Sequence, residues 1–230
     1  MVSLTNTDVQ VKIPLKEQQL KLREEAILGA VNALLSEKGY DAMTVDEVAA
    51  YIGIAKTSLY KHFESKEALA AAAMVRLLER TKEVAERQPA AARPVEKLSA
   101  VLRWALGEQL AGRMPKLPST RGALRETLMK DKRYMARLME VSEMLGRWIE
   151  EGQAKGEITR RLPAEVVLYT LYARTCDPVV DFLKASGNYD DDRIVELMHA
   201  AAFDGLGARD RRAASSTGAG AGKRAASKAA

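Results

Sequence analysis

The chain of 230 residues is long enough for one large or two small domains, and its one cysteine, Cys176, excludes an internal disulfide framework and fits a reducing cytosol. No apolar run approaches the ~20 residues of a membrane span, and the N-terminus lacks a signal-peptide pattern, so we expect a cytoplasmic protein. Residues 209–230 carry six basic residues and one acidic residue, which equals the whole net charge of +5.

The first predicted elements are an N-terminal arm and one helix. Residues 1–14 are polar and aperiodic, and Pro14 argues against a helix through them, so we expect a disordered arm. From about Leu15, apolar residues recur at helical spacing as far as Gly39, which predicts an amphipathic first helix.

Residues 44–63 have the pattern of a helix-turn-helix. Thr44 is a candidate N-cap, and Glu47 three residues later completes a capping box. Gly53 suits the left-handed backbone that ends a helix, and a second short helix can begin at about Lys56. Two short helices around a glycine turn are typical of proteins that bind the DNA major groove.

The second short helix separates apolar anchors from polar donors. Ile54, Leu59 and Phe63 are spaced to pack inward, whereas polar side chains occupy the remaining positions. The candidate DNA-binding donors of this helix are Lys56, Thr57, Ser58, Tyr60, Lys61 and His62. Lysines would neutralise phosphates, and hydroxyl groups would contact phosphates or base edges. Lys66 follows the candidate cap Ser65, where its charge and the exposed helix amides would both meet a phosphate.

The run T-V-D-E-V-A-A-Y-I-G-I-A-K-T-S-L-Y-K-H-F-E-S-K-E-A-L resembles the N-terminal signature of the TetR family of bacterial transcriptional regulators. The resemblance covers about residues 20–78, and L-Y-K-H-F followed by S-K-E-A-L is its most specific part. It implies an all-helical homodimer with a three-helix DNA-binding head and a ligand-sensing body. By motif position it implies that phosphate is held by Thr44 and Lys66, that bases or phosphate are faced by Lys56, Thr57 and Ser58, and that the backbone is braced by Tyr60, Lys61 and His62.

One position departs from the family pattern. Ala55 stands where the family usually has a Ser or Thr cap, so we expect a slightly frayed helix start at a cost on the order of 1 kcal/mol. Residues 20–69 hold six basic against eight acidic residues, so DNA affinity must come from where the lysines sit and not from a basic domain.

The rest of the chain predicts an all-α fold with a body of about six helices. Helical spacing predicts four helices over residues 65–87, 95–110, 131–155 and 191–206. It also predicts a short helix that reaches residue 129, and a helix that begins at residue 163 and is kinked at Pro178. We therefore expect a helix-turn-helix DNA-binding domain at 15–64, a helical regulatory and dimerisation domain at 65–208 and a disordered basic tail at 209–230. The tail is either an arm that raises non-specific DNA affinity or a dispensable terminus.

We predict two functions for this body, dimerisation and ligand binding, and each pattern also has a purely structural interpretation. The last two predicted helices would form a dimer interface, since Ala201, Ala202 and Gly205 allow close approach; alternatively this face packs on the body's own core. Adaptable Met with amphipathic Tyr and Trp suits an apolar ligand pocket, although such a stripe is also typical of an ordinary core. The candidate ligand-binding residues are Trp104, Tyr134, Met135, Trp148, Tyr172 and Cys176.

Catalysis is not indicated by the sequence. The only two histidines are His62, in the predicted recognition helix, and His199, whose pairing with Cys176 stays open beside the simpler interpretation of a buried structural thiol. No Cys/His cluster suggests a metal, and no glycine-rich phosphate loop suggests a nucleotide cofactor. We predict no enzymatic activity, no metal site and no cofactor.

The favoured interpretation is a TetR-like regulator, most simply a repressor. It would bind double-stranded DNA at a near-palindromic operator as a homodimer, associate with the nucleoid when bound, and be released by a small-molecule effector. The alternative is an architectural DNA-binding protein with little sequence specificity.

Overall fold

The computed structural model describes residues 14–115 and 123–205, and every regular element within them is a helix. The all-α prediction is confirmed. The predictions of a disordered N-terminal arm and of a disordered basic tail concern residues outside these ranges, apart from Pro14, which directly precedes the first helix.

Ten helices follow one another in the described part of the chain. They are α1 Leu15–Ala42, α2 Val45–Tyr51, α3 Lys56–Tyr60, α4 Lys66–Glu86, α5 Pro94–Leu110, α6 Ala123–Lys130, α7 Lys132–Ala154, α8 Ala164–Arg174, α9 Pro178–Ser186 and α10 Asp191–Phe203. The first three form the predicted head. Seven described helices follow, one more than the approximate number predicted for the body.

The additional helix arises at Pro178, where a kink was predicted and the structure has a complete break. α8 ends at Arg174, and the Asp177 carboxylate then accepts a hydrogen bond from the amide of Val179 at 3.0 Å. Pro178 is the first residue of α9, a position where its missing N–H costs no helical hydrogen bond. The cap and the proline together start a new helix instead of bending the old one.

Side-chain caps also start the long helices of the body. The Ser65 hydroxyl accepts from the Ala68 amide at 3.0 Å at the start of α4. The carboxylates of Asp131 and Asp190 do the same at α7 and α10, at 2.9 and 2.8 Å. Each satisfies one of the free amides of a first turn, which is typically worth about 1 kcal/mol.

The head and the start of the body share one hydrophobic core. Ile27 and Leu35 of α1, Val48 of α2 and Leu59 of α3 are buried in the same cluster as Met74 of α4. The first three turns of α1 are exposed and contribute nothing to this core, which begins at Ile27. The three-helix head is therefore seated on α4 through a continuous apolar contact.

The body has two further large clusters of buried residues, besides a small one made of Leu77, Ala105 and Met114. One joins α4, α5, α7 and α8, with Leu98, Val141 and Ile149 at its centre. The other joins α5, α9 and α10 around Leu106 and Ile194. Across both described ranges, none of the helices combines the length and the apolar character needed to cross a membrane.

Candidate nucleic-acid interface and ligand cavity

The predicted capping box is present at the start of α2. The Thr44 hydroxyl accepts from the Glu47 amide at 3.2 Å, and the Glu47 carboxylate accepts from the Thr44 amide at 2.9 Å. Lys38 of α1 donates to the same carboxylate at 2.6 Å. The hydrogen bonds from Lys38 and then Thr44 lower the pKa of Glu47 to about 2. Thr44 is exposed, and its amide and hydroxyl are both engaged in this box.

The turn and the short recognition helix follow the predicted boundaries. Gly53 has a φ of +69°, the left-handed conformation that L side chains rarely adopt. Ala55 precedes α3 with no side-chain cap, as expected from the departure at this position. Leu59 is fully buried, and Ile54 and Phe63 pack partly buried on the same cluster. These three anchors fix which side of α3 faces outward.

The outward side of α3 and the turn after it carry the predicted DNA-binding residues. The exposed members are Lys56, Thr57, Tyr60, Lys61 and His62. Ser58 is only half-exposed. The structure therefore gathers hydroxyl, phenol, ammonium and imidazole groups on one surface, whose DNA contacts stay a prediction.

An acidic residue that the sequence analysis did not single out lies on this surface. Asp46 of α2 accepts a hydrogen bond from Lys56 Nζ at 2.8 Å, which raises the pKa of Lys56. Asp46 is two-thirds exposed, at 68%, so the pair is in contact with water. The carboxylate orients Lys56 in the free protein and also offsets its charge where a phosphate would bind.

Lys66 is positioned by the end of α1. Its ammonium lies 4.4 Å from the centroid of the Tyr40 ring and donates to the Asp41 carbonyl at 3.3 Å. The Tyr40 hydroxyl donates to Glu67 at 2.7 Å, and burial together with this hydrogen bond raises the pKa of Tyr40. Lys66 is thus held at the N-terminus of α4, where its charge and the helix amides favour an anion.

An apolar cavity of about 160 Å³ lies among α4, α5, α7 and α8, and we call it the chamber. Three of the six predicted ligand-binding residues line it: Tyr134, Tyr172 and Cys176. Burial raises the pKa of both tyrosines, so both stay neutral near pH 7. Tyr172 is also within hydrogen-bond distance of the Ser142 hydroxyl, at 2.9 Å. The ligand-binding role of these three residues stays a prediction.

The other three candidates, Trp104, Met135 and Trp148, do not line the chamber, and their ligand-binding role also stays a prediction. Trp104 packs beside Met114 with the Arg80 guanidinium 5.5 Å from its ring, and Trp148 lies 5.6 Å from the Lys97 ammonium. Met135 packs against the core of the head. Trp104 and Met135 are each one helical position away from a chamber residue, namely Ala105 and Tyr134. Because adjacent side chains on a helix point about 100° apart, Trp104 and Met135 face away from the cavity.

A larger and more polar cavity of about 600 Å³, which we call the cleft, lies beside the chamber. Its walls include Ser36 of α1, Gln109 near the end of α5, and Asp181 and Lys184 of α9. Lys184 Nζ donates to the Leu110 carbonyl at 2.7 Å and to Asp191 at 3.2 Å. No periodic pattern predicted this cavity, because its walls come largely from helix ends and loop residues.

His199 and Cys176 have separate surroundings. His199 Nε2 lies 2.6 Å from the Ser99 hydroxyl, between α10 and α5. Burial, and then the charge of Arg103, lower the pKa of His199. Cys176 Sγ lies 3.9 Å from the Pro115 carbonyl, at the wall of both cavities. Among the residues that the structure describes, no three His, Cys, Asp or Glu side chains are grouped as metal ligands would be.

Sequence comparisons place the head among known regulators. Residues 27–73 match the family model described as bacterial regulatory proteins, tetR family. The biofilm operon icaADBC negative transcriptional regulator IcaR of Staphylococcus aureus is 44% identical over 46 residues, which are 20% of this chain and 25% of IcaR. The uncharacterised regulator YdeS of Bacillus subtilis is 27% identical over 185 residues, which are 79% of this chain and 88% of YdeS.

Structural comparisons extend the similarity to the body. The fatty acid degradation regulator FadR of Bacillus halodurans superposes with a TM-score of 0.62 at 18% identity, over 81% of this chain and 97% of that one. FadR of Bacillus subtilis in complex with stearoyl-CoA gives 0.57 at 20% identity, over 80% and 99%. AibR in complex with isovaleryl coenzyme A and operator DNA gives 0.55 at 22% identity, over 79% and 98%. At these identities the likeness concerns the fold alone.

The family model, the relatives and the fold agree with one another. The matched segment contains the capping box, the glycine turn and α3, and the structural similarity continues through the helical body. The head of this chain therefore carries the N-terminal domain of the tetR family of bacterial regulatory proteins, and its described body has the fold of the compared regulators.

Proposed function

We propose that this protein is a repressor that binds a near-palindromic operator as a homodimer and is released by a small molecule bound in its helical body. The name of IcaR, a negative regulator, supports the repressor role. AibR, crystallised with both an acyl-CoA and operator DNA, supports a ligand-responsive regulator. Binding without catalysis is part of the proposal.

The observation that carries the proposal is the exposed face of α3. Lys56, Tyr60 and Lys61 project from a helix that is anchored by the fully buried Leu59. Lysines at this face would release counterions from phosphates, and the phenol and hydroxyl groups would contact the backbone or the base edges. Lys66 would add a phosphate contact at the start of α4.

Dimerisation is supported by apolar side chains left in solvent on α8 and α9. Val166, Tyr169, Val179 and Phe182 are all exposed, and Phe182 is 72% exposed. Exposed apolar patches of this kind mark interaction surfaces, and a second copy of the chain is the occupant we propose. Ala202 instead packs into the protein's own core, so α8 and α9 carry more of the proposed interface than α10.

Release by a ligand requires a physical link between the cavity and the head, and α4 supplies one. This helix begins at Lys66, spans about 30 Å, and lines the chamber with Met74, Leu77 and Thr81. Met74 is also part of the core of the head. A ligand that binds better to an arrangement with a tilted α4 would shift the population away from the DNA-binding state, and DNA would reciprocally weaken the ligand.

The proposal is tested by measuring affinity for the DNA upstream of the protein's own gene against scrambled DNA of equal length, at a stated salt concentration. A specific regulator should prefer its own DNA by about 10³-fold or more. Equal affinity for both would reject it in favour of an architectural DNA-binding protein.

Two variants of the α3 face sharpen the test. Tyr60→Ala and Lys56→Ala should each abolish specific binding, and Lys56→Ala should also reduce the salt slope of the remaining binding by about 1. Lys155→Ala is the matched control, since this lysine pairs with Glu151 at the far end of α7. Tight operator binding by the Lys56 and Tyr60 variants would mean that another surface contacts DNA.

A further inference from the structure

We infer that the chamber and the cleft together form one two-part site for a short acyl group carried on a large polar head, a ligand of the acyl-thioester class. The acyl group would occupy the chamber and the polar head would occupy the cleft. The inference rests on the proposed ligand-released repressor and names the chemistry of its effector.

The two cavities share a wall. Met114 and Pro115, which follow α5, and Thr175 and Cys176, which follow α8, line both of them. These four residues form what we call the neck. A molecule lying across the neck would have one end among apolar side chains and the other among polar ones.

Three hydroxyl groups in the wall of the chamber are already engaged in hydrogen bonds. The Thr81 hydroxyl donates to the Leu77 carbonyl at 2.9 Å, and the Thr175 hydroxyl donates to the Tyr172 carbonyl at 2.8 Å. The Tyr172 hydroxyl is itself paired with Ser142. A polar group that entered this mostly apolar space would lose its water with little compensation, so the part of the ligand that enters is a hydrocarbon.

The size of the chamber limits the length of that hydrocarbon. An apolar cavity of about 150 Å³ in another protein holds one benzene molecule, and the chamber measures about 160 Å³. By that comparison it accommodates an acyl group of about four to six carbons. The branched isovaleryl group of the AibR ligand is within this range, whereas the stearoyl group of the FadR ligand is far beyond it.

The cleft is suited to a head much larger than a carboxylate. Its volume of about 600 Å³ is several times that of the chamber. Lys184, which is bonded to Asp191 and to the Leu110 carbonyl, places a cation at the wall of the cleft. The Gln109 side chain also lines the cleft, and its buried Oε1 has no hydrogen-bond partner among the described residues. An amide-rich head could supply the missing donor.

The position of the cleft explains how the head of the ligand would affect DNA binding. Ser36 belongs to α1 of the DNA-binding head, whereas Gln109 and Lys184 belong to α5 and α9 of the body. A polar head in the cleft would contact both parts at once. It would therefore favour one arrangement of the DNA-binding head over the other, in addition to any effect of the acyl group on α4.

The first experiment measures binding to the full-length wild-type protein by titration calorimetry, without DNA. The probes are hexanoyl-CoA, octadecanoyl-CoA, coenzyme A alone and free hexanoate. We expect hexanoyl-CoA to bind at least tenfold more tightly than each of the other three. If coenzyme A alone bound as tightly as hexanoyl-CoA, the acyl group would not be recognised by the site. Tighter binding of octadecanoyl-CoA than of hexanoyl-CoA would refute the size limit of the chamber. If free hexanoate bound as tightly as hexanoyl-CoA, the assignment of a large polar head to the cleft would be wrong.

The second experiment locates the ligand through Cys176, the one cysteine of the chain. The thioether S-hexyl-CoA, which cannot exchange with a thiol, should slow alkylation of Cys176 by iodoacetamide at least fivefold, whereas S-methyl-CoA should not. Val101→Phe, which fills the chamber, should abolish the protection, and Val84→Phe, on the same cluster but outside the chamber wall, is its control. Unchanged alkylation in wild-type protein with saturating S-hexyl-CoA would overturn the assignment.

Failure of the acyl-thioester assignment can be distinguished from failure of the proposed function. Specific operator binding is measured without ligand, so it can succeed while every acyl probe fails. In that case the protein remains an operator-binding regulator, and the acyl-thioester assignment is wrong.

Discussion

Replacing Glu108 by Gln should destabilise the protein, because Glu108 is a buried carboxylate that joins α4 to the end of α5. Its side chain is only 7% exposed and contacts Arg80 of α4 at 2.8 Å. Arg113, just after α5, donates to the same carboxylate at 2.8 and 3.0 Å. Glu108→Gln preserves the shape of the side chain and removes the charge.

The expected loss follows from the exposure of the three partners. Removing one member of a fully buried ion pair typically costs about 3–5 kcal/mol. Here the side chains of Arg80 and Arg113 are 31% and 54% exposed, so both can regain water when the carboxylate is gone. We therefore expect a loss of about 2 kcal/mol, or about 4–8 °C in Tm for a chain of this size.

The stability lost in Glu108→Gln should also depend on pH, and it should be smaller at low pH. Burial by itself would raise the pKa of Glu108, but the hydrogen bonds from Arg113 and Arg80 outweigh it and hold the pKa below the usual 4.5. The stabilisation is therefore present above pH 4.5 and is lost as the pH falls through the folded-state pKa. The difference between wild type and Glu108→Gln should shrink as the pH falls from 5 to 3.

Urea unfolding at one fixed protein concentration measures the loss, since the stability of the proposed dimer would depend on concentration. Glu151→Gln is the control, because it breaks the exposed pair with Lys155 and should cause no measurable change. A loss for Glu108→Gln as small as that of the control would show that the two arginines do not depend on this carboxylate.

Three further predictions concern the head and the proposed interface. Thr44→Ala should cost about 1 kcal/mol of unfolding free energy in urea titrations, whereas Thr44→Ser should retain the cap; equal losses would mean that the capping box adds little. Asp46→Asn should free Lys56 and tighten DNA binding about threefold in fluorescence anisotropy, and weaker binding would instead make Asp46 a positioning residue. Phe182→Asp should dissociate the proposed dimer in analytical ultracentrifugation, and a sedimentation coefficient equal to that of the wild type would contradict an interface at Phe182.

The helix-turn-helix was predictable because its signals are local. The Thr44 cap depends on an amide three residues away, and the glycine turn depends on one residue with a positive φ. The start of α3 at Lys56 follows from these two features. Such interactions are encoded within one or two helical turns, so a pattern of residue types is enough to find them.

The break between α8 and α9 marks the limit of such patterns. Pro178 indicated a disturbance, but a kinked helix and two separate helices have nearly the same apolar spacing. The cap by Asp177 distinguishes them, and its carboxylate has to turn toward the Val179 amide for the new helix to begin. Residue type alone left both outcomes open.

What the sequence determined by itself is the helical class, the head and the outward side of α3, since these follow from capping, turn chemistry and helical period. Only the tertiary structure decided what lies across space. Asp46 meets Lys56 ten positions away, and Lys66 meets the Asp41 carbonyl twenty-five positions away. The chamber likewise depends on how four helices pack, and a rotation of one residue separates Tyr134 in its wall from Met135 outside it. The helical period predicts which residues lie on the same side of a helix, with an uncertainty of about one position. Cavities and ion pairs depend on smaller rotations of each helix, and these rotations are determined only when the helices pack against one another.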